Sequence, residues 1–527
     1  MGDGDVGGGR MMHVTGEAAR TRPSETRDVW RDSLALLSIC GLAVAVRVVA
    51  MLLQPGINHP DEVFQYLEQA NRLLHGTGFV PWEYQVGARN WLLPGLIAGC
   101  MAVGDLFGPA PAAPLVAVSV LLCAVSLGPV ICAFLWGRRC AGFAGAVTAG
   151  VLTAVWYHLV YFSTHVLAET FAAAALVVGL YLVYPGGAVR SARRLFAGGM
   201  LLGLTIAFRL QLAPAVGIAV IALLRGEGRA QYRALLTGLA TPVLLCGLLD
   251  WVTWGWPFQS FVMNIYANMI AGVAANFGLK SSLYYVGVTW FAWGLPGIVI
   301  VLCALRGGLR LPLPLLLLVA GMIFLVHSAI GHKEERFISP ALPLVMTLAG
   351  IGSVLVAEWL SRRVGSLLLR RALLTALPMA WAVASLALAV APPRLWYWHH
   401  GRGPIMAMRA INADPGSCGV AVFPARYWPS TGGYTHLRPG LPLFDAGSGS
   451  DVIAAQAFNY VISYQPADFS ALGYRQVQCW DDPEGGRLEL ETVHICLWRR
   501  PGGCGPSPAQ PLTAPAVRLT DGISSWH

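Results

Sequence analysis

"NHPDEVFQYLEQ", residues 58–69, follows the first long apolar run of the chain, 34–54. Two adjacent carboxylates, Asp61 and Glu62, therefore stand at the end of a stretch long enough to cross a hydrocarbon core of about 30 Å. Working outward, comparable apolar runs recur at 113–136, 141–162, 166–184, 195–208, 212–224, 234–254, 284–305, 311–329, 338–358 and 372–391. The composition agrees, with 56% hydrophobic and 12% charged residues. A soluble protein carries about 25% charged residues. The pattern predicts an all-α polytopic membrane protein of about eleven transmembrane helices.

The net charge of +9 does not point to nucleic acid. Its arginines gather in short connections: Arg20 to Arg31, Arg138-Arg139, Arg190 to Arg194, Arg225 to Arg233, Arg306 to Arg310 and Arg362 to Arg371. Such clusters orient a membrane protein with the basic loops in the cytoplasm. Parity then places on the outer face the loop 55–91, the turns at 163–165 and 209–211, the loop 255–283, the stretch 327–336 and the chain after about 392. The apolar stretch 92–107 is broken by Pro94 and Gly95. Crossing there would spoil the parity, so it is expected to be part of the adjacent span, to be re-entrant or to lie on the surface.

Three regions follow. Residues 1–31, rich in Gly and Arg, are expected to be a disordered cytoplasmic head. They lack the apolar core and cleavage site of a signal peptide. Residues 32–392 form the transmembrane region. Residues 393–527 hold short β-like runs, "CGVAVF", "YVISY" and "HICLW", and predict a small extracytoplasmic α/β domain. An outer location is oxidising, so Cys418, Cys479, Cys496 and Cys504 are expected to form one or two disulfides, in any of three pairings.

The informative residues are charges at the outer ends of helices, where burial is costly and usually marks function. Asp61 and Glu62 open the first outer loop. Pro60 and Asp61 make a plausible helix start, with Asp61 a candidate cap. Residues 62–75, containing Glu68, read as an amphipathic helix on the bilayer surface. Glu83 and Arg89 follow in "VPWEYQVGARNW". His165 and Glu169 are spaced to share a helix face. Arg209 sits in the turn "FRLQLAP", and "HSAIGHKEERF" supplies His332, Lys333, Glu334, Glu335 and Arg336. Carboxylates on one side and cations on the other suit a general base for an acceptor hydroxyl and a cradle for a departing phosphate. The spacing "HExxH" and paired cysteines are absent. No cofactor is expected, and a divalent metal is the one left open.

"HPDEVFQYLEQANRL" with the later "PWEY" and "RNW", and "HKEERFISPALPL", resemble the motifs of family 22 mannosyltransferases, most of all the GPI mannosyltransferase III branch. "FRLQLAP" stands where that family carries Arg-Pro-Thr, with Leu210 and Gln211 replacing Pro and Thr. The resemblance implies a GT-C glycosyltransferase fold and inverting transfer of mannose from a polyprenyl-phosphate donor to a glycan or glycolipid acceptor. Carried onto this sequence, it implies Asp61 or Glu62 as catalytic acid, with Asp61 preferred as the base and Glu62 assisting. His59, Arg209, His332, Lys333, Glu334 and Arg336 would serve the donor phosphate. Glu68, Glu83, Arg89, His165 and Glu169 are candidates for the acceptor side. The Ala, Gly, Pro and Arg usage suggests a bacterium, hence an inner-membrane protein facing the periplasm; a eukaryotic chain would sit in the endoplasmic reticulum. Two other readings stand beside this one. The first is a GT-C enzyme moving arabinose or an aminosugar. The second is a transporter of a lipid-linked sugar, which would favour repeated halves and broken helices near the midplane.

Overall fold

The computed structural model describes residues 23–185, 191–224, 228–310, 313–424, 429–446, 457–484, 491–505 and 511–512. Its helices are α1 (Pro23–Leu53), α2 (Glu68–His75), α3 (Trp82–Gln85), α4 (Leu92–Asp105), α5 (Ala112–Val155), α6 (Tyr157–Ser163), α7 (Ala168–Val183), α8 (Ala192–Phe208) and α9 (Ala213–Leu224). They continue with α10 (Arg229–Trp254), α11 (Gln259–Ile265), α12 (Tyr284–Gly308), α13 (Pro314–Ala329), α14 (Leu342–Val364), α15 (Leu367–Ala389), α16 (Leu395–His399) and α17 (Arg402–Ala413).

Among the described residues, six helical segments are long and apolar enough to cross a membrane, and the bent pair α6–α7 makes seven. The chain is a multi-pass membrane protein. Among the described residues each apolar run picked from the sequence lies mostly on helix, but α7, α8, α9 and α13, with 16, 17, 12 and 16 residues, are too short to pass alone. The expected count of eleven is therefore not reached on length and composition. A straight α5 of 44 residues would be about 66 Å long, twice a hydrocarbon core. It is two helices: Ala141 and Gly142 leave helical geometry, with φ of −141° and 66°. The two arms meet closely, since a Cβ on Gly137 would lie 2.3 Å from the Gly145 carbonyl oxygen.

The helix α14 forms the axis of the bundle. Protein covers 89% of its apolar window, against 17% for α1 and α15. It packs on α5, α12 and α15. The helix α4 has 14 residues, about 21 Å, too short to span, and it packs on α5 and α2.

Two expectations are corrected. The head is not disordered throughout, because α1 begins at Pro23, a residue suited to a first helical turn, and Arg31 pairs with Asp28 at 3.3 Å. Residues 1–22, Arg190 and Arg225 lie outside the described residues. The segment 62–75 does not lie on a bilayer surface. A π-helical turn, Glu62–Leu67, runs into α2, and residues 62–71 are all buried. One side faces α4 and the other is covered by the C-terminal unit.

That unit is a five-stranded sheet of β1 (Val420–Phe423), β2 (Leu443–Asp445), β3 (Tyr460–Ser463), β4 (Arg475–Glu484) and β5 (Glu491–Arg499). The order is β2-β1-β3-β5-β4. β1 runs parallel to β2 and β3, while β5 is antiparallel to β3 and β4. Met408 and Ile411 of α17 join Val420, Val422 and Ile462 in one apolar cluster, and Phe444, Phe458 and Trp498 join another. The disulfides are Cys418–Cys504 and Cys479–Cys496; the second links directly paired residues of β4 and β5. The sheet unit meets the loop that follows α1 at two glycines. A Cβ on Gly56 would lie 2.5 Å from the His400 carbonyl oxygen, and one on Gly401 (φ 68°) 2.5 Å from the Ile57 nitrogen.

Candidate active site

Asp61 stands just before the π-helical turn but makes no capping hydrogen bond with its side chain. Its carboxylate instead pairs with Arg336 at 2.5 Å. His59 Nδ1 lies 3.4 Å from the other Asp61 oxygen, and His59 Nε2 is 3.4 Å from Glu334. Burial pushes the Asp61 carboxyl up, but Arg336 and then His59 outweigh it and hold it well below the usual range. Glu334 accepts from Arg336 Nε at 2.5 Å and faces His332 at 2.9 Å. Burial opposes ionisation of Glu334 too, and the Arg336 charge overcomes it. Thus residues some 275 positions apart, Asp61 and Arg336, close one ion-paired cluster.

A second cation joins it. Arg209, at the end of α8, pairs with Glu169 of α7 at 2.9 Å, and Glu169 lies 3.9 Å from Arg336. The two guanidinium groups flank the Phe337 ring, at 5.1 and 5.4 Å. Arg336 Nη1 is buried with no hydrogen-bond partner. A buried, unpaired donor of this kind costs stability, roughly 1–3 kcal/mol, unless an acceptor fills the place.

Glu62 differs from its neighbour. It accepts from the Asn58 N–H at 3.0 Å and the Val166 N–H at 2.9 Å, and faces His165 Nδ1 at 2.9 Å. Both oxygens are occupied, and the side chain ties the first loop to the α6–α7 bend. That bend explains why His165 and Glu169 do not share a helix face as their spacing predicts. The chain turns by 115° between α6 and α7, so His165 leaves the helix to meet Glu62 while Glu169 meets Arg209.

Glu83, on α3, accepts from Gln65 at 2.6 Å. Burial and then the Asp61 charge push its carboxyl up to about 7. Arg89 is near enough to Glu83 and Asp61 to influence both, and it lines a cleft with Tyr66, Tyr84, Asn90 and Gln211. The remaining residues singled out from the sequence lie apart from this cluster. Lys333 Nζ is directed at the carbonyls of Lys280, Ile330 and Gly331. Glu68 accepts from the N–H groups of Phe79, Tyr434 and Thr435 and from the Thr435 hydroxyl. It fastens the sheet unit. Among the described residues no three His, Cys, Asp or Glu side chains are grouped to hold a metal ion.

Some participants went unread in the sequence. Asn58 donates to the Tyr161 hydroxyl at 2.9 Å. Next to Arg336 in the chain, Glu335 lies 2.9 Å from His158 Nε2 and also accepts from Tyr397 at 2.6 Å, while Trp293 donates to His158 Nδ1. The signal available was a histidine inside the apolar run 141–162, an expensive placement that usually has a partner.

Residues 38–434 match the Alg9-like mannosyltransferase family. This chain belongs to that family. A GPI mannosyltransferase 3 of Yarrowia lipolytica is 26% identical over 312 residues, 57% of this chain and 59% of the relative. The match therefore spans about three-fifths of that relative's length. In Drosophila melanogaster, a GPI mannosyltransferase 3 is 36% identical over 66 residues, 12% of each chain. A crystal structure of ArnT from Cupriavidus metallidurans, bound to undecaprenyl phosphate, superposes with a TM-score of 0.53 at 13% identity. That superposition covers 89% of this chain and 99% of ArnT. The likeness shows the fold, which is the GT-C fold with a small C-terminal sheet unit.

Proposed function

We propose that the chain is an inverting glycosyltransferase that moves mannose from a polyprenyl-phosphate mannose to a hydroxyl of a glycan or glycolipid on the outer face of the membrane. The observation that carries this reading is the Asp61–Arg336 pair, with Arg209 beside it and Arg336 Nη1 unsatisfied. Family membership supplies the sugar, and the undecaprenyl phosphate bound by ArnT supplies the analogy for the carrier.

In this reading, the donor phosphate takes Arg336 Nη1 and draws on Arg209. Competition for Arg336 loosens its hold on Asp61, whose basicity rises as the pair opens. Asp61 then takes the proton of the acceptor hydroxyl as that oxygen bonds to the anomeric carbon. The anomeric carbon–phosphate oxygen bond breaks, and its electrons leave on the phosphate, where the guanidinium groups stabilise the charge. His59 steers Asp61, and Glu62 holds the loop in place. The proposed setting is a bacterial inner membrane, with the site on the periplasmic side.

The test uses full-length protein in detergent, labelled polyprenyl-phosphate mannose and a panel of glycolipid acceptors. Asp61→Asn should lower transfer by about 100-fold or more, with the folded state intact by thermal unfolding. Unchanged transfer by Asp61→Asn removes it as the base. Transfer of arabinose or an aminosugar, with none of mannose, overturns the donor.

A further inference from the structure

At the bend of α5 and the basic ends of α12 and α14 lies a recess of about 640 Å³, lined by none of the acids of the candidate site. Arg306 and Arg310 enter it from the end of α12, and Glu358, Trp359, Arg362 and Arg363 from the last turns of α14. The single carboxylate, Glu358, is already engaged by Arg362 at 3.4 Å and by Arg370 at 3.0 Å. Arg363 lies over the Trp359 ring, 5.3 Å from its centroid. Among the described residues, Arg306 and Arg310 have no carboxylate partner.

Arginines at helix C-termini complement the helix dipole, and basic loops orient the chain. Those two effects account for cations at each helix end. They do not account for four guanidinium groups converging on one cavity with one committed carboxylate. The neighbouring surface is apolar and faces outward: Leu302 and Leu305 on α12, Val356 and Leu360 on α14 are all exposed. A basic recess opening beside such surface offers a phosphate seat and a track for acyl chains, the arrangement by which membrane proteins hold anionic headgroups.

We propose that this recess binds the phosphate headgroup of an anionic glycerophospholipid, with its acyl chains against the exposed leucines and valine. The site is separate from the proposed transfer reaction and does not depend on it.

The experiment takes full-length protein stripped of lipid in a neutral detergent and follows its thermal unfolding. The probes are dioleoyl phosphatidylglycerol, dioleoyl phosphatidylcholine and inorganic pyrophosphate. Phosphatidylglycerol should raise the midpoint well above the value in phosphatidylcholine. Half-saturation should weaken by at least tenfold in the double variant Arg306→Gln, Arg310→Gln, and stay close to wild type in Arg306→Lys, Arg310→Lys. If the double Gln variant cannot be purified, the single Gln variants carry the comparison, each weaker than wild type. Equal effects of the two lipids overturn the proposal, as does a Gln variant that binds like wild type. A shift with pyrophosphate as large as that with phosphatidylglycerol also overturns it, assigning the recess to a soluble anion.

Discussion

Asp61 and Glu62 are neighbours in the chain with opposite surroundings. Glu62 has three donors on two oxygens and no freedom to exchange them. Asp61 has one guanidinium and one imidazole, both of which a substrate anion can contest. Glu62→Gln should cost about 2–4 kcal/mol of stability, because the His165 contact and one backbone N–H lose their charged acceptor; chemical or thermal unfolding in detergent measures it, and a cost below about 0.5 kcal/mol would remove Glu62 as a clamp. Glu83 offers a pH test. Its carboxyl is pushed from 4.5 up to about 7, so the folded state binds a proton that the unfolded chain releases. Its contribution to stability is full below pH 4.5 and is lost as pH rises through about 7. Wild type should therefore fall in stability from pH 5 to pH 8 relative to Glu83→Gln, by up to about 3 kcal/mol. Parallel pH profiles of the two proteins would refute it. The carboxylates themselves were plain in "HPDE", since charge beside an apolar run stands out. Their division of labour was not, because it depends on which distant donors fold back onto each oxygen.

At the scale of elements, the helices were legible wherever hydrophobic runs were long, and the bend of α5 at Ala141 and Gly142 falls where the run 141–162 was set apart from 113–136. The α6–α7 break was legible as a turn at 163–165, close to where α6 ends at Ser163 and α7 begins at Ala168. What the sequence did not show is the 115° change of direction and the partners it gives His165 and Glu169. The break follows from tertiary demand: Glu62 needs His165 and the Val166 N–H, and Arg209 needs Glu169. Arg209→Gln tests that demand. It leaves Glu169 buried with its nearest cation gone, which should cost about 3–5 kcal/mol, read as a lowered unfolding midpoint. A midpoint unchanged from wild type would show that Arg336, 3.9 Å away, suffices for Glu169. The surface helix expected over residues 62–75 failed for a related reason. Its polar face, Glu68 above all, is aimed at backbone N–H groups of the sheet unit and not at water.

Over the whole molecule, the apolar frame, the C-terminal sheet and its cysteines could be read from composition, while the docking of sheet onto loop could not. That docking includes the Glu68 carboxylate, two close backbone approaches at Gly56 and Gly401, and the packing of Ile405 on Ile57, Val63 and Phe64. Glu68→Ala strands four donors at once, three N–H groups and a hydroxyl. It should loosen the sheet unit and expose residues 391–402 to protease. Faster cleavage there than in wild type, with α14 still protected, is the expected pattern; an unchanged digestion rate would count against Glu68 as the fastener.

The Glu68 contacts join residues 366 and 367 positions apart in the chain. A ribosome adding about 5–20 residues per second needs roughly 20–70 s to travel that distance. For that interval the loop bearing Asp61 waits beside the membrane with its lid unmade. A nascent or truncated chain that stops before Thr435 has every acid of the cluster and lacks the piece that shuts it in. The joined loop and sheet therefore arise late in synthesis, when Tyr434 and Thr435 reach Glu68.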